Sequence, residues 1–275
     1  MSRTQSIKVG PHTIVAITDG EFEFGAELFP GTDESTIHSL LAKAGADRIE
    51  TNFNAFVIKS PGRTMLVDAG PRDLFGPTCG NLPAGLTEAG VATDDITHIL
   101  LTHLHPDHIA GVISADGEQV FSNATLLVNE TEHAFWAREE SFGDESMDQW
   151  QQMAKAVLGA YDGKLELFNG DADLGAGVSA LALPGHTPGH SGFRVDDGDQ
   201  SFVMACDIVH AQALQIADPE ISIAFDIDAD AARATRKRAL DMIASDQLIF
   251  SGGHLISPKF GKLVSEGSGY QLQDV

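Results

Sequence analysis

Alternation of apolar and polar positions along the first seventy residues predicts β-structure. The segment HTIVAITDGEFEF (12–24) alternates, and its internal Asp-Gly pair predicts a hairpin turn. The runs NAFVIKS and TMLVDAG predict two strands joined by a tight Pro-Gly turn. Between these regions, STIHSLLAKAGA has the spacing of a short helix, with Asp33 or Ser35 as its N-cap.

The remaining two hundred residues mix helical and strand patterns. The run ITHILLTH is apolar throughout, which is typical of a strand buried on both faces. Further strands are predicted for ATLLVNE, LELF, VSALALPG, SGFRVDD, SFVMACD and QLIFSGG, and helical spacing marks LPAGLTEAG, ETEHAFWAREE, ESMDQWQQMAKAVLGAY and DADAARATRKRALDMIAS. This order predicts an α/β (α+β) protein in which two mixed sheets pack together with helices outside, as one domain over 1–275.

The charge balance narrows the partners that we expect. The chain has 40 Asp and Glu against 17 Lys and Arg, a formal net charge of −23. Such a surface repels phosphate backbones and anionic membranes, so neither a nucleic acid nor a membrane is expected as a partner. The two cysteines form no CxxC pair, and the N-terminus has no apolar run of signal-peptide length. A cytoplasmic protein is therefore expected.

The segment LLTHLHPDHIAG (100–111) carries candidate metal ligands directly after the predicted buried strand. His103 and His105 are two positions apart and share a face of an extended chain. Asp107 and His108 follow where the chain turns toward a helix. Imidazole nitrogens and a carboxylate suit zinc and similar divalent ions. The alternative is a histidine-rich surface loop without function, but the position after a buried strand favours a metal site.

Other predicted strands end in similar side chains. His186 follows one strand, Asp207 another, His254 a third, and Asp68 a fourth. Each alone is weak evidence, because an Asp at a strand end is more often a cap or turn residue. Together they repeat one arrangement, an apolar strand followed by a ligand-type side chain, and function commonly collects at strand ends of layered folds. We expect His190, close to the first of these, to orient the backbone or a ligand.

With these residues in place, the chain resembles the metallo-β-lactamase-fold hydrolase superfamily over nearly its whole length. The resemblance implies an αββα sandwich with a two-metal site at one edge of the sheets. It implies that one metal is held by three histidines, His103, His105 and His186. It implies that the second is held by Asp107, His108 and His254. Asp207 would bridge both metals, and Asp68 would orient a ligand histidine.

A narrower resemblance is to the branch that contains methyl parathion hydrolase and related lactonases. The segments LFGPTCGNL, THLHPDHIAGV, GHTPGHS, DIVHAQALQIADP and SEGSGYQL carry it. True β-lactamases of this fold usually place a cysteine where Asp207 stands, and Cys206 is one position off, so antibiotic hydrolysis is not expected. The resemblance implies an aromatic substrate pocket that includes Phe75, Trp136 and Phe225. Ordinary core packing is the alternative for these aromatic side chains.

The branch implies two divalent cations, expected to be Zn²⁺, with Mn²⁺, Co²⁺ or Fe²⁺ as alternatives. A hydroxide bridging them would attack a carbonyl or phosphoryl centre, with Asp107, Asp207 and His210 as catalytic residues. His210 lies three residues past Asp207, and a histidine there suits an ester oxygen. We therefore expect a lactone or ester substrate, of N-acyl homoserine lactone or aryl lactone type, with secondary phosphotriesterase activity, in a homodimer. The alternatives are a dedicated phosphotriesterase and an iron-dependent member handling oxygen or sulfur.

Overall fold

The first sheet forms from the first half of the chain. The computed structural model describes residues 2–198, 200–257 and 259–275, and within them this sheet has seven strands in chain order. They are β1 (Thr4–Val9), β2 (His12–Phe24), β3 (Ile49–Ser60), β4 (Arg63–Val67), β5 (His98–Leu100), β6 (Thr125–Asn129) and β7 (Leu165–Phe168). Pairing is antiparallel from β1 to β4 and parallel from β4 to β7, so the sheet is mixed.

The second sheet forms from the second half. Its strands in the described ranges are β8 (Asp173–Gly175), β9 (Val178–Ala182), β10 (Ser191–Asp197), β11 (Gln200–Met204), β12 (Ile249–Ser251), β13 (Gly261–Glu266) and β14 (Gly269–Asp274). The β11–β12 pair is parallel and the other pairs are antiparallel, so this sheet is also mixed.

The described helices pack around the two sheets. They are α1 (Glu34–Ala44), α2 (Leu82–Glu88), α3 (Pro106–Ile109), α4 (Glu130–Ala137), α5 (Glu145–Ala160) and α6 (Ala229–Ser245). One core cluster joins α2 to α5 to the first sheet, and another joins α6 to the second. A third lies between the sheets, where Phe56 and Met65 pack near Phe193 and Phe202. These four layers confirm the predicted αββα sandwich. None of the described helices combines the length and apolarity needed to cross a bilayer.

The predicted hairpin at Asp19-Gly20 is wrong. β2 is one strand that pairs with β3 along its whole length, and the register shifts between Thr18 and Gly20. Asp19 is the extra residue of a β-bulge. Its buried carboxylate accepts hydrogen bonds from the amides of Gly80, at 3.0 Å, and Leu82, at 2.6 Å. The bulge therefore fixes the segment that leads into α2. The Asp-Gly pair alone does not predict this contact, because its partners lie 61 and 63 residues further along the chain. Helix α1 begins after Asp33, as predicted.

Candidate metal centre

The predicted ligands meet at one edge of the sandwich because five strands end there. β4 and β5 are parallel, so Asp68 and the 103–108 segment follow them at the same edge. In the second sheet, β9 and β11 each pair antiparallel with β10 and so run in the same direction, and β12 is parallel to β11. His186, Asp207 and His254 follow these three strands. The carboxyl ends of both sheets thus bring the two ligand sets together.

Local backbone geometry sets the direction of the ligands. Pro106 begins α3, with His105 at the N-cap, so Asp107 and His108 occupy its first turn. Asp68 has φ of +54°, in the left-handed region that Asp tolerates better than most residues. This turn directs its carboxylate at Thr102, whose amide donates at 2.9 Å and whose hydroxyl donates at 2.8 Å.

One oxygen of Asp207 is the centre of the cluster. Five histidine Nε2 atoms surround Asp207 Oδ2 at 3.1 to 3.6 Å, those of His254, His108, His210, His186 and His103. His105 faces the same space through its Nδ1, 3.1 Å from His103 Nε2 and 3.0 Å from His186 Nε2. Asp107 Oδ2 lies 3.3 Å from His108 Nε2 and 3.6 Å from His254 Nε2.

The outward ring nitrogens are held by acceptors, which fixes the tautomer and leaves Nε2 facing inward. His108 Nδ1 lies 2.8 Å from Asp68 Oδ2, the contact that the predicted orienting role of Asp68 requires. His186 Nδ1 lies 2.9 Å from Asp226 Oδ1. His254 Nδ1 lies 2.8 Å from the carbonyl oxygen of residue 52. The rings are thus oriented from outside the cluster.

His190 contacts the backbone rather than the centre of the cluster. Its Nδ1 donates to the carbonyl of Leu183 at 2.8 Å, and its Nε2 accepts from the amide of Asp207 at 3.2 Å. Burial lowers the pKa of His190 to about 3, so the ring is neutral and both contacts can persist. It fixes the backbone from which the Asp207 side chain projects.

Burial and the carboxylates shift the histidine pKa values in opposite directions. Burial lowers the pKa of His103 and of His105 well below the usual value. Burial also acts on His108, but the carboxylates of Asp207 and Asp107 outweigh it and raise the pKa of that ring. Burial raises the pKa of Asp207, but the surrounding imidazoles outweigh this effect and hold it well below the usual range. Divalent metals bind ionised carboxylates and neutral imidazoles, so metal binding at His108 would release its ring proton.

The donor set fits divalent metal binding. Two groups of atoms lie within 4.8 Å of one another and match the predicted ligand sets, His103 with His105 and His186, and Asp107 with His108, Asp207 and His254. Among the described residues, the Nε2 atoms of His108 and His210 contact carboxylate oxygens without hydrogen-bond geometry. His105 Nε2 and His210 Nδ1 have no hydrogen-bond partner there. Convergent imidazole nitrogens and carboxylate oxygens are the donors that zinc takes in hydrolytic sites.

A buried glutamate that sequence reasoning missed supports both ligand loops. Glu132, on α4, accepts hydrogen bonds from the Leu104 amide at 2.9 Å and the Trp136 indole at 2.7 Å. Its other oxygen accepts from the Thr187 hydroxyl at 2.6 Å and the Gly189 amide at 3.0 Å. Burial raises the pKa of this carboxyl. Nothing in the local sequence distinguishes Glu132 from the exposed glutamates near it.

A cavity of about 200 Å³ opens onto the cluster and is mostly aromatic. Its lining includes three residues predicted for the pocket, Phe75, His210 and Phe225. Among the described lining residues, Trp150 of α5 takes the place predicted for Trp136, which is fully buried behind the site. The Trp136 ring still packs edge-on against His105, at 5.6 Å between centroids. The other aromatic lining residues are Phe22, Phe24 and Phe53.

Comparisons with known proteins agree with this geometry. Residues 50–254 match the family described as the metallo-beta-lactamase superfamily. Two solved structures superpose over almost the whole chain. The hydrolase AbOPH in the beta lactamase superfamily is 28% identical with a TM-score of 0.94, covering 100% of this chain and 98% of that one. AidC, a dizinc quorum-quenching lactonase in complex with the product N-hexanoyl-L-homoserine, is 26% identical with a TM-score of 0.92, covering 99% and 98%.

Curated relatives match over a shorter region. The N-acyl homoserine lactonase AiiA of Bacillus thuringiensis subsp. kurstaki is 26% identical over 169 residues, 62% of this chain and 60% of that protein. A probable metallo-hydrolase of Mycobacterium tuberculosis is 32% identical over 182 residues, 62% of this chain and 55% of that protein. The match thus spans less than two thirds of these relatives' own length.

Proposed function

Because the chain belongs to the metallo-beta-lactamase superfamily, we propose that it is a metal-dependent hydrolase that opens lactones. The substrate class is an N-acyl homoserine lactone or an aryl lactone, with related esters as further substrates. The proposed cofactor is a pair of divalent cations, Zn²⁺ in the first place. One set of ligands is His103, His105 and His186, the other is Asp107, His108 and His254, and Asp207 faces both.

One observation carries the proposal. The convergent ligand cluster opens directly into a small cavity whose other walls are mostly aromatic, so an uncharged substrate with an apolar substituent fits beside the metal ligands. The similarity to AidC, whose structure contains an N-acyl homoserine product, supports the substrate class. A lactone has both features, a polar ring ester and an apolar acyl or aryl group.

The reaction adds water across the ring ester and gives a hydroxy acid. Divalent cations in such a site supply a water nucleophile at neutral pH and a Lewis acid for the ester oxygen. Burial raises the pKa of Asp107, but the positive charge and hydrogen bond of the protonated His108 ring outweigh it and hold the carboxyl below its usual range, so Asp107 is ionised. With 16% of its side chain exposed toward the cavity, Asp107 takes the proton of the water and returns it to the leaving ring oxygen.

His210 holds the substrate in this scheme. Its side chain is 2% exposed, lines the cavity, and stacks on His254 with 4.9 Å between ring centroids. Its Nδ1 has no hydrogen-bond partner in the described residues, and its Nε2 lies 3.2 Å from Asp207 Oδ2. With Asp207 engaged by the cations, the ring would donate its N–H to an oxygen of the ester. A bulky triester would fit an apolar side chain at this position better than an imidazole, so phosphotriester hydrolysis is proposed as a secondary activity. A homodimeric, cytoplasmic enzyme remains part of the proposal.

The test is a substrate panel on protein stripped of metal and reloaded with Zn²⁺, Mn²⁺, Co²⁺ or Fe²⁺. An aliphatic homoserine lactone, an aryl lactone and a methyl phosphotriester are compared by kcat/KM. We expect the best lactone to exceed the triester at least tenfold, and His105→Ala to abolish both activities. His38→Ala, on the exposed face of α1, is the matched control. A tenfold preference for the triester would overturn the lactone assignment, and undiminished turnover in His105→Ala would overturn the metal-dependent mechanism.

A further inference from the structure

A buried arginine on α6 connects that helix to the metal centre. The Arg236 side chain is 0% exposed, although arginine is rarely buried unless its charge is compensated. Its Nε donates to the carbonyl of Ile208 at 2.5 Å. Ile208 directly follows Asp207, so this contact fixes the backbone next to the carboxylate at the centre of the cluster.

The same guanidinium compensates the carboxylate that orients His186. Arg236 Nη2 lies 3.5 Å from Asp226 Oδ2, and both side chains are 0% exposed. The other oxygen of Asp226 lies 2.9 Å from His186 Nδ1. A buried carboxylate without a partner charge is strongly unfavourable, so Asp226 needs Arg236 to stay at this place. The chain of contacts runs from α6 through Asp226 to a metal ligand.

A second branch reaches His210. Arg236 Nη1 donates to the carbonyl of Ile221 at 2.9 Å, and Gln215 Nε2 donates to the same carbonyl at 3.1 Å. The fully buried Gln215 uses its Oε1 to accept from the amide of His210 at 2.7 Å. Arg236 and Gln215 thus share one acceptor and hold the loop that carries His210.

We propose that Arg236 is a positioning residue of the metal centre. It holds Asp226 against His186 and fixes the backbone on the carboxyl side of Asp207. The side chains of His186 and Asp207 would then face the position of the proposed cations. The inference rests on the proposed metal-dependent function and deepens it. It predicts that a substitution remote from the substrate cavity weakens metal binding.

The experiment measures zinc affinity by competition with a chromophoric chelator in the full-length protein. Arg236→Met, Asp226→Asn, the double variant and Arg236→Lys are compared, with Arg238→Met on the exposed face of the same helix as control. We expect Arg236→Met and Asp226→Asn each to lose about 10- to 100-fold in zinc affinity, the size of effect typical when a residue behind a metal ligand is removed, and Arg238→Met to leave it unchanged. The double variant should lose little more than the worse single variant, and Arg236→Lys should recover part of the loss.

Comparing zinc affinity with thermal stability distinguishes a positioning role of Arg236 from a purely structural one. If Arg236 only stabilised α6, the melting temperature would fall while zinc affinity stayed within twofold of the wild type, and that result would overturn the proposal. Fully additive losses in the double variant would also overturn it. If Arg236→Met does not fold, Asp226→Asn and Arg236→Lys decide the question by the same affinity criterion. Wild-type protein that binds zinc without opening lactones would refute the proposed function and leave this inference intact.

Discussion

Glu132 accepts a hydrogen bond from the amide of Leu104 at 2.9 Å. Leu104 stands between two proposed ligands of the first sheet, His103 and His105. The second oxygen of the same carboxylate accepts from the hydroxyl of Thr187, next to His186 in the second half of the chain. One buried side chain therefore sets the distance between ligand loops that belong to different sheets.

Glu132→Gln should therefore weaken both the fold and the metal site. The carboxylate accepts from four donors, and the amide NH₂ of glutamine would face two of them without accepting. Leaving buried donors unpaired costs about 1–3 kcal/mol each in free energy of unfolding. Denaturant unfolding and zinc competition measure the two effects. Glu130→Gln, at the exposed start of the same helix, is the control. Unchanged zinc affinity in Glu132→Gln would show that metal binding does not depend on the hydrogen bonds of Glu132 to the two ligand loops.

His210→Phe should reduce lactone hydrolysis selectively. The substitution keeps an aromatic ring in the cavity but removes the proposed donor to the ester oxygen. We expect kcat/KM for the preferred lactone to fall about 100-fold, in the range typical of a positioned proton donor, and kcat/KM for a methyl phosphotriester to change much less. His210→Gln, which keeps a donor, should retain more lactone activity than His210→Phe. Equal losses on both substrates would contradict a substrate-specific role.

Substitutions of the two tryptophans should have different effects, one on substrate binding and the other on stability. Trp150→Ala removes a cavity wall and should raise KM for lactones with large apolar substituents about tenfold, within the range for lost apolar contacts. Trp136→Phe leaves the wall intact but removes an indole donor to Glu132. It should lower the free energy of unfolding by about 1–3 kcal/mol with little change in KM. Steady-state kinetics and denaturant unfolding on both variants test this contrast. A raised KM in Trp136→Phe and an unchanged KM in Trp150→Ala would indicate that Trp136, not Trp150, lines the pocket.

Lys259 should make stability depend on pH. Burial lowers its pKa from 10.5 to about 7, while its ammonium group donates to Asn54 Oδ1 and the Leu255 carbonyl. Between these two pKa values the unfolded chain binds more protons than the folded one, so the free energy of unfolding rises with pH from about 7 toward 10. Lys259→Met should flatten that rise. Denaturant titrations at several pH values in this window compare the slopes, and identical slopes would exclude Lys259 as the source.

Local patterns predict the layers and the ligand candidates well, because an apolar strand and the polar residue that ends it are neighbours in sequence. They fail where a contact joins distant segments. Glu132 meets Thr187 across 55 positions, and Arg236 meets Ile208 across 28. The prediction that Trp136 lines the pocket, where Trp150 is found instead, is wrong for a related reason. Both lie on amphipathic helices, and only the packing of α4 against α5 decides which ring faces the cavity.

The sheets are consecutive in the chain, β1 to β7 within residues 4–168 and β8 to β14 within residues 173–274. During synthesis the HxHxDH segment therefore emerges and can fold against its helices before the proposed ligands of the second half have been synthesised. The proposed metal centre would be complete only once the later sheet docks. A cation bound by residues of both halves would then stabilise the association of the two sheets. Metal binding would therefore indicate that both sheets have folded and packed together.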